Sequence, residues 1–363
     1  MRVKNVCWWR QYLLMRARDN GNKPDGNVNK RWFRWGIIVL GVLALAAVAG
    51  VAGGYYYGLH SLKLQAVQGS DSGYSNDERT LDDKISYQGK TYVRNRDIYT
   101  VLCMGLDTEN DMSEAGGASG LGAQSDANFL AIIDKKQKKI RLVAIPRDTM
   151  TDLETFYMTG EPLGLLRDHL ALQYAFGNGG IESCKLMERA VSRLFYDFPV
   201  DAYVAFSLNS IENLNGMVGG VTVEIQQDFD DFKAGDTVTL NNEQAYHFIR
   251  WRDCEEAYSA QYRLQRQKQY LVAFIEKAMT ATKQDMRTPF RMYNSISDSM
   301  LMDLSKAQMM SLVMLGLNCD FTEEDLLVIP GEQVQGQYYE EFHIDEQAFY
   351  ELMLELFYTA EDA

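Results

Sequence analysis

Histidine and cysteine are scarce in this chain, with four and five among 363 residues. The histidines are widely scattered, and no Cys/His spacing matches a zinc site. Cys7, Cys103, Cys184, Cys254 and Cys319 form no disulfide framework. One bridge among Cys184, Cys254 and Cys319 remains open, but no spacing selects a pair. Cys103, inside an apolar run, reads as a buried thiol. Positive charge is also short, with 36 Lys and Arg against 50 Asp and Glu, a formal net of −14. Nine of the basic residues stand in residues 1–35 beside only Asp19 and Asp25, so the remainder carries a net charge of about −21. Beyond its tail, therefore, the chain is neither a general nucleic-acid binder nor a basic patch for anionic lipid. No Gly-Lys-Ser/Thr accompanies the glycine-rich stretch (Gly116, Gly117, Gly120, Gly122), which excludes a P-loop. There is no internal repeat.

One long apolar run is present. Gly36 to Gly54 is nineteen residues without a charge, which as a helix spans about 28 Å, close to the hydrocarbon thickness of a bilayer. Tyr55, Tyr56 and Tyr57 follow it, and Trp32, Phe33 and Trp35 precede it, as interfacial aromatics do. The run starts too late and is too long for a cleaved signal peptide. The basic tail keeps the N-terminus inside. Four parts are expected: a cytoplasmic tail (1–35), a transmembrane helix (36–57), a Ser-, Gly- and Asp-rich stalk (58–83) and an extracellular domain (84–363) in a single-pass membrane protein.

The outer domain reads as mixed α/β. Its strands are Ile98–Gly105, Asn128–Ile133, Ile140–Ile145, Pro199–Leu208 and Val221–Ile225, with a small hairpin before them turning at Gln88-Gly89. Helices are expected at Glu182–Tyr196, Asn209–Met217, Asn242–Phe248 with Asn242 as cap, Arg263–Met279, Lys306–Leu317 and Asp345–Tyr358.

Seven charged side chains mark a candidate site. Asp107 ends a strand, and Asp126 stands just ahead of the next; two such carboxylates suit Mg²⁺ (or Mn²⁺), which binds one or two carboxylates plus phosphate oxygens. Arg147 closes a third strand, with Asp148 placed to orient it. Arg250 and Arg252 lie two apart, on one face if that segment is extended. Arg263, Arg266 and Gln267 fall at i, i+3 and i+4 of a helix start, whose N-terminus itself attracts phosphate. Guanidinium groups fork onto phosphate oxygens, and arginines from three segments converge at low cost only with an anion between them.

Four ordered segments resemble the LytR-CpsA-Psr family of cell-envelope proteins: Val101-Leu-Cys-Met-Gly-Leu-Asp107; Ser125-Asp126 leading into Ala127–Asp134; Lys139-Ile-Arg-Leu-Val-Ala-Ile-Pro-Arg-Asp-Thr149; and Phe248-Ile-Arg-Trp-Arg252 with Arg263-Leu-Gln-Arg-Gln267. Val328-Ile-Pro-Gly331 and Tyr338-Tyr339 are similar to its closing segment. The resemblance covers roughly residues 85–358. It implies a mixed central sheet sandwiched by helices and a pocket for a polyprenyl-pyrophosphate-linked glycan, whose lipid tail lies in an apolar tunnel. It further implies a phosphotransferase, acting with the arginines and Mg²⁺, that moves the glycan onto a peptidoglycan acceptor hydroxyl. The polymer (teichoic acid, capsule or another) stays open. Departures from the family pattern are Gln124 for an Arg before Ser125-Asp126, Glu109 for an Arg near Asp107, Ala171 and Gln173 for a Lys and an Asn, and Ala260-Gln261-Tyr262 for the Asp-x-Gly before Arg263. A non-catalytic carrier of lipid-linked glycan and a pyrophosphate hydrolase are the alternatives.

Overall fold

The computed structural model describes residues 83–108, 112, 123–157, 159–208, 210–228, 231–251 and 259–361. The expected tail, anchor and stalk fall outside this set, as do Glu109, the four loop glycines, Arg252 and Cys254. Among the described residues no helix is long and apolar enough to cross a membrane.

Strands β1 (Lys84–Tyr87) and β2 (Lys90–Arg94) form the expected hairpin. Gln88 and Gly89 both take positive φ, 47° and 76°, the pair of left-handed residues that a two-residue turn needs to match strand twist. Then β3 (Ile98–Leu106), β4 (Ser125–Asp134) and β5 (Lys139–Ile145) run as an antiparallel meander. They are nearly continuous apolar runs because both of their faces are covered. An unanticipated hairpin follows, β6 (Met150–Phe156) with β7 (Pro162–His169).

Helix α1 (Ile181–Leu194) leads into β8 (Ala202–Ser207), which pairs parallel to β3. Helix α2 (Ser210–Met217) precedes the hairpin β9 (Val221–Glu224) and β10 (Thr237–Leu240). Helix α3 (Asn242–Arg250) is capped by Asn241 rather than Asn242: the Asn241 side chain accepts from Gln244 N, and Gln244 accepts in return from Asn241 N. Helix α4 (Ser259–Gln284) starts four residues before Arg263. Helix α5 (Thr288–Ile296), β11 (Met300–Met302), α6 (Lys306–Gly316), β12 (Leu326–Val328), the hairpin β13 (Gly331–Gln335) and β14 (Glu340–Ile344), α7 (Glu346–Phe357) and β15 (Tyr358–Ala360) complete the described chain.

The central sheet has the order β11-β8-β3-β4-β5-β12 and mixes parallel with antiparallel pairs. On one face Leu102, Met104, Leu130, Ile132 and Val143 pack under α1 (Met187, Ala190, Val191) and α7 (Phe349, Met353, Phe357). The other face presents Val101, Phe129, Leu142 and Ala144 to α6 (Leu312) and α4 (Leu264, Leu271, Val272, Ile275). A mixed sheet between two helical layers is the architecture expected. Burial pushes the Cys103 thiol up to about 12, which leaves it an inert core group. Cys184 and Cys319 are buried and free.

Candidate functional site

The chain leaves the sheet at the end of β3 and re-enters it beside that point, at the start of β4. Gly105 faces Ala127 but Leu106 faces Ser125, so the register slips by one residue. Asp126 is the extra residue of this bulge and lies within β4, not ahead of it. A bulge re-aims its side chain and ends regular pairing. Asp107 N donates to Gln124 O at 3.0 Å, so the two acids occupy the joined ends of neighbouring strands.

β5 ends at the same edge, and Pro146 breaks the strand so that Arg147 turns back over β4. Arg147 Nη1 donates to Asp126 Oδ1, and its Nη2 donates to Gln124 Oε1. Its Nε lies 3.3 Å from Asp148 Oδ1. Ala171 clips this corner through its backbone, donating to Arg147 O at 3.0 Å and accepting from Ser125 N at 3.3 Å. From the far side of the sheet's edge, Arg263 Nη1 donates to Asp126 Oδ2 at 3.1 Å. Both oxygens of one carboxylate thus hold arginines from two different layers, in a site where exclusion of water strengthens each pair.

A second small core places the remaining arginines. Val221, Val223, Leu240, Ala245, Phe248 and Tyr270 close β9, β10, α3 and α4 on one another. Arg250 therefore sits in the last turn of a helix rather than in an extended segment, and Arg252 lies outside the described residues. Its Nη2 lies 3.3 Å from Asp107 Oδ1, and its Nη1 donates to the Tyr246 hydroxyl one turn earlier. Arg266 is engaged differently. Its Nε donates to Phe248 O at 3.1 Å, its Nη2 donates to Trp251 O, and the guanidinium lies 5.0 Å from the Trp251 ring centre. Gln267 Nε2 donates to Ile249 O at 3.4 Å. These two side chains satisfy carbonyls that the end of α3 leaves open, and so set where Arg250 and Arg263 stand.

A cavity of about 430 Å³ opens at this edge. Asp126, Arg147, Asp148, Arg263 and Gln267 form its polar end, and Leu264, Val328, Ile329 and Pro330 its apolar walls. Gly331 completes the wall at a point where a Cβ would run into His343 O and the Phe342 ring. Two contributors escaped the sequence reading. Gln124 holds Arg147, and its only signal was its place beside Ser125-Asp126. Tyr246 holds Arg250, and the i, i+4 spacing would have revealed it once the segment was known to be helical.

Among the described residues no group of three or more His, Cys, Asp or Glu side chains gathers as a metal site. A cation here would rely on Asp107, Asp126 and ligand oxygens, a donor set that suits Mg²⁺.

Comparison with known proteins bears on the family and the fold. A model of the LytR_cpsA_psr family matches residues 59–355. Similar curated proteins include the polyisoprenyl-teichoic acid–peptidoglycan teichoic acid transferase TagU of Bacillus cereus strain ATCC 14579, 26% identical over 298 residues, 81% of this chain and 86% of that protein. TagV of Bacillus subtilis strain 168, named for the same transfer, is 26% identical over 264 residues; the match spans 68% of this chain but only 58% of TagV. The fold also matches the crystal structure of B. subtilis TagV at a TM-score of 0.55 and 23% identity, over 72% of this chain and 96% of that one. TagT bound to LIIa-WTA matches at 0.53 and 23%, over 72% and 90%.

Proposed function

This chain belongs to the LytR_cpsA_psr family, and from that premise we propose that it transfers a glycopolymer from a polyprenyl-pyrophosphate carrier to peptidoglycan through a phosphodiester bond. The observation that carries this reading is the pair Arg147 and Arg263 converging on Asp126 at the polar end of a cavity with apolar walls. A pyrophosphate entering there would take guanidinium donors now held by carboxylates, and the apolar walls would receive the start of the lipid. The curated relatives are named as transferases of teichoic acid, which makes that polymer the first to test.

In the proposed step an acceptor hydroxyl oxygen attacks the phosphorus nearer the sugar. The bond from that phosphorus to the bridging oxygen breaks, and lipid monophosphate leaves. Asp126 and Asp148 are both engaged by arginine; the departing phosphate, whose second pKa is near 6, can take the hydroxyl proton itself. Arg147 and Arg263 orient the pyrophosphate and neutralise the charge that grows on it, the contributions on which phosphoryl transfer mainly depends. Asp107 and Asp126 would hold a Mg²⁺ ion, which when bound would further neutralise the pyrophosphate oxygens.

The test incubates the full chain with a short-chain pyrophosphate-linked teichoic acid precursor, Mg²⁺ and peptidoglycan oligomers, followed by mass spectrometry. A phosphodiester-linked adduct is expected. Free glycan phosphate without adduct would make the protein a hydrolase, and binding without turnover would make it a carrier.

A further inference from the structure

Among the described residues ten large apolar side chains are conspicuously exposed, and six of them lie on two touching hairpins. Tyr157 (56%), Leu163 (55%), Leu165 (47%) and Leu166 (51%) belong to the β6–β7 hairpin, and Tyr338 (77%) and Tyr339 (73%) to the turn between β13 and β14. The hairpins are joined: His169 Nε2 lies 3.0 Å from Glu340 O, and the His169 and Tyr339 rings meet edge to face at 6.4 Å. Such a concentration on a soluble surface marks a place where something else covers it.

Three observations decide what that is. The edge of β7 is poorly built to pair with another strand. Pro162 lacks a donor there, Gly164 turns to a φ of 134°, and the register slips at Thr155/Phe156. Leucines stand on both faces of this outer strand beside tyrosines and the exposed Arg167, the mixture that inserts shallowly at a lipid–water interface while polar tips stay wet. Finally, the second hairpin carries both features, part of the cavity wall at its base through Gly331, Gln333 and Phe342 and the exposed tyrosines at its turn, so one element links the patch to the site.

We infer that these two hairpins dock the domain onto the bilayer surface, so that a lipid-borne pyrophosphate passes from the membrane into the cavity without crossing water. A bilayer as partner rests on the membrane-borne substrate proposed above and on the apolar run at 36–54 of the same chain. The intervening residues 58–83 reach up to roughly 90 Å when extended, enough to let the domain lie down. Because the domain is acidic, the docking is apolar rather than electrostatic and persists at high salt.

The test places the full chain in vesicles of phosphatidylcholine and phosphatidylglycerol that carry a phospholipid with a photoactivatable diazirine in its upper acyl chain. Adducts are mapped by mass spectrometry after illumination at low and high salt. Lipid adducts are expected on Tyr157–Leu166 and on Tyr338-Tyr339, in addition to residues 36–54. The triple variant Leu163→Ser, Leu165→Ser, Leu166→Ser should lose the β7 adducts at least tenfold while those at 36–54 and the melting temperature hold. Adducts confined to 36–54, an unchanged yield in the variant, or cross-links joining two copies through the patch would each overturn the proposal. The mapping needs no turnover, so it stands apart from the transferase reading, which the soluble short-chain substrate tests alone.

Discussion

Oδ2 of Asp126 accepts a hydrogen bond from Nη1 of Arg263 at 3.1 Å, across 137 residues of sequence. With Arg147 on the other oxygen, the carboxylate stores two guanidinium groups in the arrangement a pyrophosphate would claim. Removing Arg263 removes one fork while Arg147 still neutralises Asp126. We expect Arg263→Ala to lower turnover by about 10²–10³-fold, the usual loss for one charge-stabilising donor. Arg263→Lys should recover only part of it, since a point charge does not fork. Turnover of the alanine variant within threefold of native would remove Arg263 from the chemistry.

Metal dependence is the second expectation. EDTA should abolish transfer and Mg²⁺ should restore it. Asp107→Asn, which keeps the shape but loses a charged ligand, should raise the Mg²⁺ concentration for half-maximal activity at least tenfold. Activity that is indifferent to EDTA would exclude the cation at Asp107 and Asp126.

Arg266 is expected to behave unlike Arg263. Its guanidinium is held by the Phe248 and Trp251 carbonyls, and only 7% of the residue is exposed. Arg266→Ala strands those acceptors and should destabilise the domain by about 2–4 kcal/mol in urea unfolding. A variant that loses activity with unchanged stability would place Arg266 on the substrate instead.

Glu188 on α1 provides a test by pH. Burial, with repulsion from Asp303 and a smaller share from Asp201, outweighs the help of Arg189 and Lys185 and pushes its carboxyl up to about 7 from an ordinary 4.5. The folded state therefore keeps a proton that the unfolded chain has released. Stability from this group is present at low pH, declines as pH rises from about 4.5 to 7, and is lost above that. Glu188→Gln, neutral throughout, should exceed native stability by about 1–3 kcal/mol at pH 8. The gain should vanish near pH 4.5, as judged by paired urea titrations. A gap that does not change with pH would reject this account.

Much of the scaffold was legible in the residues. Ile98–Gly105, Asn128–Ile133 and Ile140–Ile145 read as core strands because burial on both faces demands unbroken apolar runs. The β6–β7 hairpin was not legible, for β7 faces solvent and its Pro162 and Gly164 speak against a strand.

The sequence by itself determined the mixed α/β alternation, the two acids at strand ends and the family that their order resembles, all of which depend on local pattern and motif. Only the tertiary structure decided which acid each arginine meets. The one-residue bulge that aims Asp126 at Arg147 and Arg263, and the turning of Arg266 towards the end of α3, depend on strand register and on which polar groups lose water. Those are properties of distant segments brought together, and no single stretch of chain encodes them.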